Sequence, residues 1–244
     1  MNGPWLSVVI PAYNEAARIP GTLERISAFL HSQAIDAEII VVDDGSTDAT
    51  PEIVTHFSKQ CPGLRLIQNG LNRGKGFSVR RGFLEALGTY VLLTDADLST
   101  PIEEINKLFQ ALQPQSAVAA IGSRALDRSL VGTRQPLYRE SAGRLFNLLV
   151  RLLSGLPFQD TQCGFKLFMR ESTQRAFELQ RVPGFGFDPE VLFLIQRLGG
   201  RTVEVPVRWN NSPGTKVRFF PDSSRMLWDL IALRLRAILG RYNP

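Results

Sequence analysis

TYVLLTDADLSTP, residues 89–101, holds in thirteen positions a short apolar run, two aspartates two residues apart and a proline suited to opening a helix. A run this short and this continuously apolar reads as a buried strand, and the helix from Pro101 continues to about Leu112. The same unit recurs on either side. LSVVIP (6–11) precedes a helical stretch from about Glu15 to Ser32. EIIVVDD (38–44) precedes a helix for which Thr47 or Asp48 offers the N-cap and Pro51 a first-turn proline. LRLIQN (64–69) precedes a helix over 75–87, and AVAAIGS (117–123) gives a fifth strand. Near-continuous apolar strands alternating with helices predict an α/β fold, a mostly parallel sheet flanked by helices. Ligands of such folds sit beyond the carboxyl ends of the strands.

The second half is less regular. A helix is predicted over 138–154, a strand at GFKLFMR (164–170), helices on both sides of Asp188, and a half-exposed strand at TVEVPVRW (202–209). The stretch from Asp222 to about Leu239 is again helical. No internal repeat and no Gly/Ser linker divides the chain, so the expected organisation is one domain, 1–221, with a helical appendage, 222–244.

Composition narrows the classes. The 244 residues are 44% hydrophobic and 21% charged, which excludes a low-complexity disordered chain. The net charge is +5, and its placement is informative. Residues 201–244 hold eight basic and three acidic side chains, which leaves the first 200 residues neutral with 20 of each sign. Cys61 and Cys163 have neither metal-ligand spacing nor the number for a disulfide framework, in keeping with a reducing compartment. The N-terminus lacks the pattern of a signal peptide, and no apolar run reaches the roughly 18–20 residues of a membrane span. The expected location is cytoplasmic, peripheral on the cytosolic face of a membrane.

Acidic residues end two of the early strands, at Asp43-Asp44-Gly45-Ser46 and at Asp95-Ala96-Asp97. Capping of turns and helices is one use of such residues. A second is metal binding. Residues two apart in an extended chain point the same way, so Asp95 and Asp97 can aim both carboxylates at one point. Hard oxygen ligands suit Mg²⁺ or Mn²⁺, and a Mg²⁺ with only two protein carboxylates takes its other ligands from substrate phosphates, as in a nucleoside diphosphate. Asp44 could accept hydrogen bonds from a base or ribose. Asn72-Arg73-Gly74-Lys75-Gly76 sets two cations in a glycine-flexed turn before a helix, where an anion or solvent would meet Lys75. No Walker spacing, GxGxxG or GxSxG element is present, and His31 and His56 fall on helices away from the strand ends.

VVIPAYNE (8–15), VVDDGSTD (41–48), NRGKG (72–76) and TDADLSTP (94–101), in that order and spacing, resemble inverting glycosyltransferase family 2. IGSR (121–124), Arg139 with Ser141, DTQCGFKLF (160–168), FGFDPE (185–190) and VRWNNSPGTKV (207–217) resemble its polyprenyl-phosphate glycosyltransferases, the dolichyl-phosphate β-glucosyltransferases more than the mannosyltransferases. The resemblance covers about residues 5–220. It implies a GT-A fold that binds a nucleotide-sugar, UDP-glucose above GDP-mannose. The implied reaction transfers the hexose with inversion to a polyprenyl or dolichyl phosphate. A family 2 transferase acting on a soluble or glycan acceptor is the alternative.

The resemblance also implies roles. Pro11, Tyr13 and Glu15 line the nucleoside pocket, with Val42 and Asp44 at the base and ribose. Asp95 and Asp97 hold the metal, Ala96 touches the nucleotide, and Lys216 closes over the donor; Lys75 joins the nucleotide-sugar site from its place in the glycine-flexed turn, not from the resemblance. Ser99 stands where mannosyltransferase relatives carry a glutamine that reaches the metal. Arg124, Arg139 and Ser141 match positions that hold the acceptor phosphate, a role suited to the planar, permanently charged guanidinium. A phosphate oxygen is already anionic and needs no general base, so Asp160 is left open between catalysis, orientation of a cation and turn capping.

A lipid acceptor requires contact with a bilayer. In LFNLLVRLLSGLPF (145–158), Leu145, Leu148, Leu149, Leu152 and Leu153 form an apolar stripe that suits a core or a membrane surface equally. In MLWDLIALRLRAILGR (226–241), Trp228, Ile231, Leu235 and Ile238 share one side, with Arg234 and Arg241 toward another, the composition of an interfacial anchor. An oligomer contact or a transmembrane partner protein are the competing uses. No nucleic-acid-binding motif accompanies the basic tail.

Overall fold

The computed structural model describes residues 3–113, 116–132, 147–211 and 219–242. Seven strands form one sheet: β1 Leu6–Ala12, β2 Ala37–Asp43, β3 Leu64–Gln68, β4 Tyr90–Leu93, β5 Ala119–Ser123, β6 Lys166–Met169 and β7 Thr202–Pro206. Their order is β3-β2-β1-β4-β6-β5-β7. The helices are α1 Ile19–Ser32, α2 Thr50–Ser58, α3 Lys75–Glu85, α4 Ile105–Leu112, α5 (147–154), α6 Arg170–Leu179, α7 Phe187–Arg197 and α8 Phe219–Ile238.

The alternation of side chains along the strands builds the two layers. Val8 and Ile10 point into a core with Ile19, Leu23 and Ile26 of α1, Val54 of α2 and Leu108 of α4. Val9, Ile40 and Val42 point into the opposite core with Val79 and Phe83 of α3, Phe177 of α6, Val191 of α7 and Leu233 of α8. Phe83 and Phe177 stack at 3.6 Å. Each helix therefore buries one stripe against the sheet, the source of most of its stability.

The sheet is mostly parallel, as expected, with one inversion. Strand β6 runs antiparallel to both β4 and β5, while β5 and β7 pair in parallel. The reason is topological. The connection from Ser123 to Lys166 leaves and re-enters at the same edge of the sheet, so the next strand must run back. This inversion carries the residues before β6 to the edge where Asp95 lies. Leu93 pairs with Lys166, so the antiparallel register sets Asp95 opposite Gly164.

Two element boundaries differ from the periodicity. Helix α1 begins at Ile19, not near Glu15, because residues 13–18 form the loop over the end of β1. Helix α2 begins at Thr50 with Ala49 at the N-cap position, and Asp48 Oδ1, two residues before the start, accepts from the Thr50 N–H at 3.0 Å. Of the helix expected over 138–154, residues 147–154 are helical and 138–146 lie outside the described residues.

Candidate functional site

The strand order reverses between β1 and β4, and the loops after these two strands face each other across that point. Open α/β sheets bind ligands in this crevice. Both loops carry a residue in the left-handed region, Asn14 at φ 53° and Leu98 at φ 44°. A leucine there costs about 1 kcal/mol or more. The cost is offset locally: the Leu98 side chain is buried, its N–H donates to Asp95 O at 3.2 Å, and the next N–H, of Ser99, donates to Asp97 Oδ1 at 2.9 Å. The strained turn thereby fixes both aspartates.

Asp95 and Asp97 keep partly exposed carboxylates. Lys75, at the start of α3, donates to Asp95 Oδ1 at 2.6 Å. Burial would lower the lysine's pKa, but Asp95 and Asp188 outweigh it and hold the ammonium charged. On the other side, Arg18 holds Glu15 through two hydrogen bonds at 2.6 and 2.7 Å and lies 3.9 Å from Asp97 Oδ2. Among the described residues no group of three or more metal-ligating side chains is present. Two open carboxylates on one turn, each beside a cation it can exchange, nonetheless suit a divalent ion completed by oxygens of a bound diphosphate.

Below the aspartates runs a row of alternating charge. Lys166, 3% exposed in its side chain, donates to Asp188 Oδ1 and to Cys163 O, both at 2.5 Å. Burial pushes the Asp188 carboxyl up, against the pull of Lys166 and Lys75. Arg124 donates from Nε and Nη2 to the two oxygens of Asp160 at 2.6 and 2.8 Å, and its backbone N–H adds a third bond at 3.1 Å. Burial would raise the Asp160 carboxyl, but Arg124 holds it below the usual carboxylate range. Asp160 is 1% exposed, and Glu204 on β7 fixes its backbone N–H at 2.7 Å.

The structure brings together Tyr13, Glu15, Lys75, Asp95, Asp97, Arg124 and Asp160 around the strand ends; Pro11 lies at the end of β1, half-buried. Ala96 is nearly buried, its carbonyl held by Thr22 Oγ1 at 2.6 Å. Val42 is wholly buried on the α3 side of the sheet, as strand alternation requires. Asp44 is buried and accepts from Asn69 Nδ2, Arg73 N and Gly74 N at 2.8–3.0 Å. These bonds hold the NRGKG turn. Asp43 likewise accepts from the N–H groups of Gly45 and Ser46. Arg139, Ser141 and Lys216 lie outside the described residues.

Three contributors escaped the sequence reading: Arg18, which spans the two loops, Asp188, and Gly164. A methyl group on Gly164 would overlap the Asp95 carboxylate. Its position two residues before a strand that pairs antiparallel to β4 is the signal that would have found it.

Away from this crevice, α8 shows an outward apolar face. Trp228, Ile231, Leu235 and Ile238 are 69, 36, 53 and 80% exposed, and Leu148 and Leu152 of α5 are 49 and 69% exposed. Leu230, Leu233 and Tyr242 are buried on the inner side. Arg234 Nε donates to Leu153 O and so ties α8 to α5. No described helix is long and apolar enough to cross a membrane.

The fold is that of GT-A glycosyltransferases. Mannosyl-3-phosphoglycerate synthase from Rubrobacter xylanophilus superposes with a TM-score of 0.68 at 20% identity, over 99% of this chain and 76% of that one. Glucosyl-3-phosphoglycerate synthase from Mycobacterium tuberculosis, solved with Mn²⁺, UDP-glucose and glycerol 3-phosphate, gives 0.66 at 24% identity, over 98% and 80%. The chain belongs to glycosyl transferase family 2, whose model matches residues 7–177. Among curated relatives, the dolichyl-phosphate beta-glucosyltransferases of Dictyostelium discoideum and Homo sapiens are 36% and 34% identical to it. These matches cover 97% and 98% of this chain, and 76% and 77% of the relatives.

Proposed function

We propose that this glycosyltransferase moves glucose from UDP-glucose to dolichyl phosphate or a related polyprenyl phosphate, with inversion at the anomeric carbon. The observation that carries the reading is the pairing of two sites one strand apart. Open carboxylates suited to a metal-bound diphosphate end β4, and a guanidinium with unspent N–H groups follows β5. Nε and one N–H of Nη2 of Arg124 go to Asp160. The outer edge, formed by Nη1 and the rest of Nη2, is left for a phosphate. The similarity to dolichyl-phosphate glucosyltransferases over nearly the whole of this chain favours glucose over mannose and a lipid phosphate over a soluble acceptor.

Asp95 and Asp97 would hold Mg²⁺ or Mn²⁺, which supplies positive charge to the departing nucleoside diphosphate. The Mn²⁺ and UDP-glucose bound by the mycobacterial synthase support this assignment. The chain's own residues do the rest. Lys75 and Arg18 orient the two carboxylates. Arg124 fixes the acceptor phosphate, whose oxygen is already a nucleophile, so no proton need be removed. Asp160 keeps Arg124 in place and is not a base: it is buried, doubly paired and held ionised. Arg139 and Ser141 complete the acceptor site in this reading, and Lys216 the donor site.

The outward faces of α5 and α8 would rest on the bilayer that holds the acceptor, on the cytosolic side, with or without a transmembrane partner. Residues 1–221 would form the transferase unit, with 222–244, which hold most of α8, as an appendage to it. The test is incubation with labelled UDP-glucose or GDP-mannose and polyprenyl phosphate, with Mg²⁺, Mn²⁺ or EDTA. Glucosylated lipid formed only with metal is expected. Extension of a soluble glycan without any lipid product would overturn the reading.

A further inference from the structure

The segment Arg208-Trp209-Asn210 joins three parts of the site through consecutive residues. Arg208 donates from Nε to the buried Glu104 at 2.5 Å and from its backbone N–H to the same carboxylate at 3.1 Å. Trp209 makes an isolated parallel bridge with Val131: its N–H donates to Leu130 O at 3.1 Å, and its carbonyl accepts from Gly132 at 3.0 Å. The Asn210 N–H donates to Ser99 O at 2.8 Å, two residues beyond Asp97. Held on both sides, the half-buried Trp209 ring lies across the guanidinium of Arg124, whose carbon is 5.5 Å from the ring centroid.

Arg124 is thus fixed twice. Asp160 grips its inner edge in the guanidinium plane, and the guanidinium carbon sits over the Trp209 ring. In-plane hydrogen bonds leave rotation of a long side chain about its own axis only partly restrained, and an aromatic ring packed against the guanidinium narrows that freedom. The outer edge then has a preferred direction, and a guanidinium so pre-organised loses little entropy when it takes up a phosphate.

We infer that Trp209 is a positioning residue for acceptor binding. It orients the outer edge of Arg124 toward the lipid phosphate, while Asn210 ties the same segment to the loop that carries the donor-side aspartates. The inference rests on the proposed role of Arg124. It separates the residue's effect from donor affinity, because Trp209 contacts the acceptor arginine and only its neighbour reaches the Asp97 turn.

The test compares Trp209→Leu and Trp209→Phe with the unaltered chain by calorimetric titration with geranyl phosphate, a water-soluble prenyl phosphate, and by steady-state kinetics. In the leucine variant, geranyl phosphate affinity should fall about five- to tenfold, the scale of a partly desolvated cation–π contact. KM for UDP-glucose should stay within about twofold, and phenylalanine should restore most of the acceptor affinity. Equal losses for donor and acceptor, or a phenylalanine variant no better than leucine, would overturn the inference. Should the leucine variant fail to fold, Trp209→Met against Trp209→Phe asks the same question, because both fill the space and only one has an aromatic face. Titration needs no turnover. A chain that binds geranyl phosphate without transferring glucose would refute the transferase reading and leave the Trp209 comparison decisive. No binding by the unaltered chain would overturn both.

Discussion

Gly164 lies directly against the carboxylate of Asp95, so close that any side chain there would occupy the space of Oδ1, Oδ2 and the carboxyl carbon. The contact follows from the sheet: β6 returns antiparallel beside β4, and the register sets these two residues opposite each other. The glycine is needed for close approach, since its backbone does not adopt a positive φ.

Gly164→Ala should therefore act on Asp95 first. The methyl group must displace the carboxylate or the strand, at a cost of about 1–3 kcal/mol for an overpacked site. Mn²⁺-dependent UDP binding should fall at least tenfold, while geranyl phosphate affinity changes less. Calorimetry of both ligands on one preparation checks this; UDP affinity equal to that of the unaltered chain would contradict the assignment of Asp95.

Lys75 sits where a metal would compete. Its ammonium holds Asp95 Oδ1 at 2.6 Å and faces Asp188 and Asp97 at longer range. In Lys75→Met, Mn²⁺ alone should bind more tightly, because the competing cation is gone. UDP should bind about tenfold more weakly, the worth of one charge-assisted hydrogen bond. Opposite signs for the two ligands are the diagnostic result, read by titrating each separately.

Asp160 divides a base from a positioning residue. Its folded carboxyl is lowered by Arg124, so its contribution to stability is fully present above the ordinary aspartate value near pH 4. That contribution is lost only as the pH falls through the lowered folded value. No limb of the pH–rate profile between about pH 5 and 8 should belong to Asp160. Asp160→Asn should lower stability by about 2–3 kcal/mol, since it weakens a buried pair whose arginine is one-third exposed. It should raise KM for the lipid phosphate and leave the shape of the pH profile unchanged. A missing acid limb in the variant would restore the base reading.

The strands and the Asp95/Asp97 turn were legible because each rests on local pattern: short apolar runs, a two-residue spacing, a proline at a helix start. Val42 and Gly164 were not, for one reason. Whether a strand residue meets ligand or core depends on which face it takes, and whether a glycine matters depends on what lies opposite. Both are set by strand order and register, which the chain fixes only through contacts distant in sequence. Asp44 shows the related case of an acid whose pattern fits two uses. Three backbone or amide donors engage it in the structure, and two of them lie 29 and 30 residues away. Asp188 became visible only through Lys166, 22 residues earlier on β6.

The two faces of α8 make separate predictions. Deleting 222–244 would remove Leu230, Leu233 and Tyr242 from the protein interior, along with the Tyr242 hydroxyl that donates to Glu190 on α7. Loss of liposome binding by such a truncation would therefore report unfolding as readily as lost contact. Substitution of the outer face alone avoids this. Trp228→Ser with Leu235→Ser and Ile238→Ser changes side chains that are 69, 53 and 80% exposed, and should alter melting little. Burial of three such side chains in a headgroup layer contributes several kcal/mol at about 25 cal/mol per Å², so the triple variant should lose most of its binding to vesicles containing anionic lipid. Arg225→Gln with Arg241→Gln, both exposed, should weaken binding by about 1 kcal/mol per charge, and only on anionic vesicles. Co-sedimentation with neutral and anionic vesicles separates the apolar contribution from the electrostatic one. A triple variant that sediments like the unaltered chain would place the bilayer contact elsewhere on the molecule.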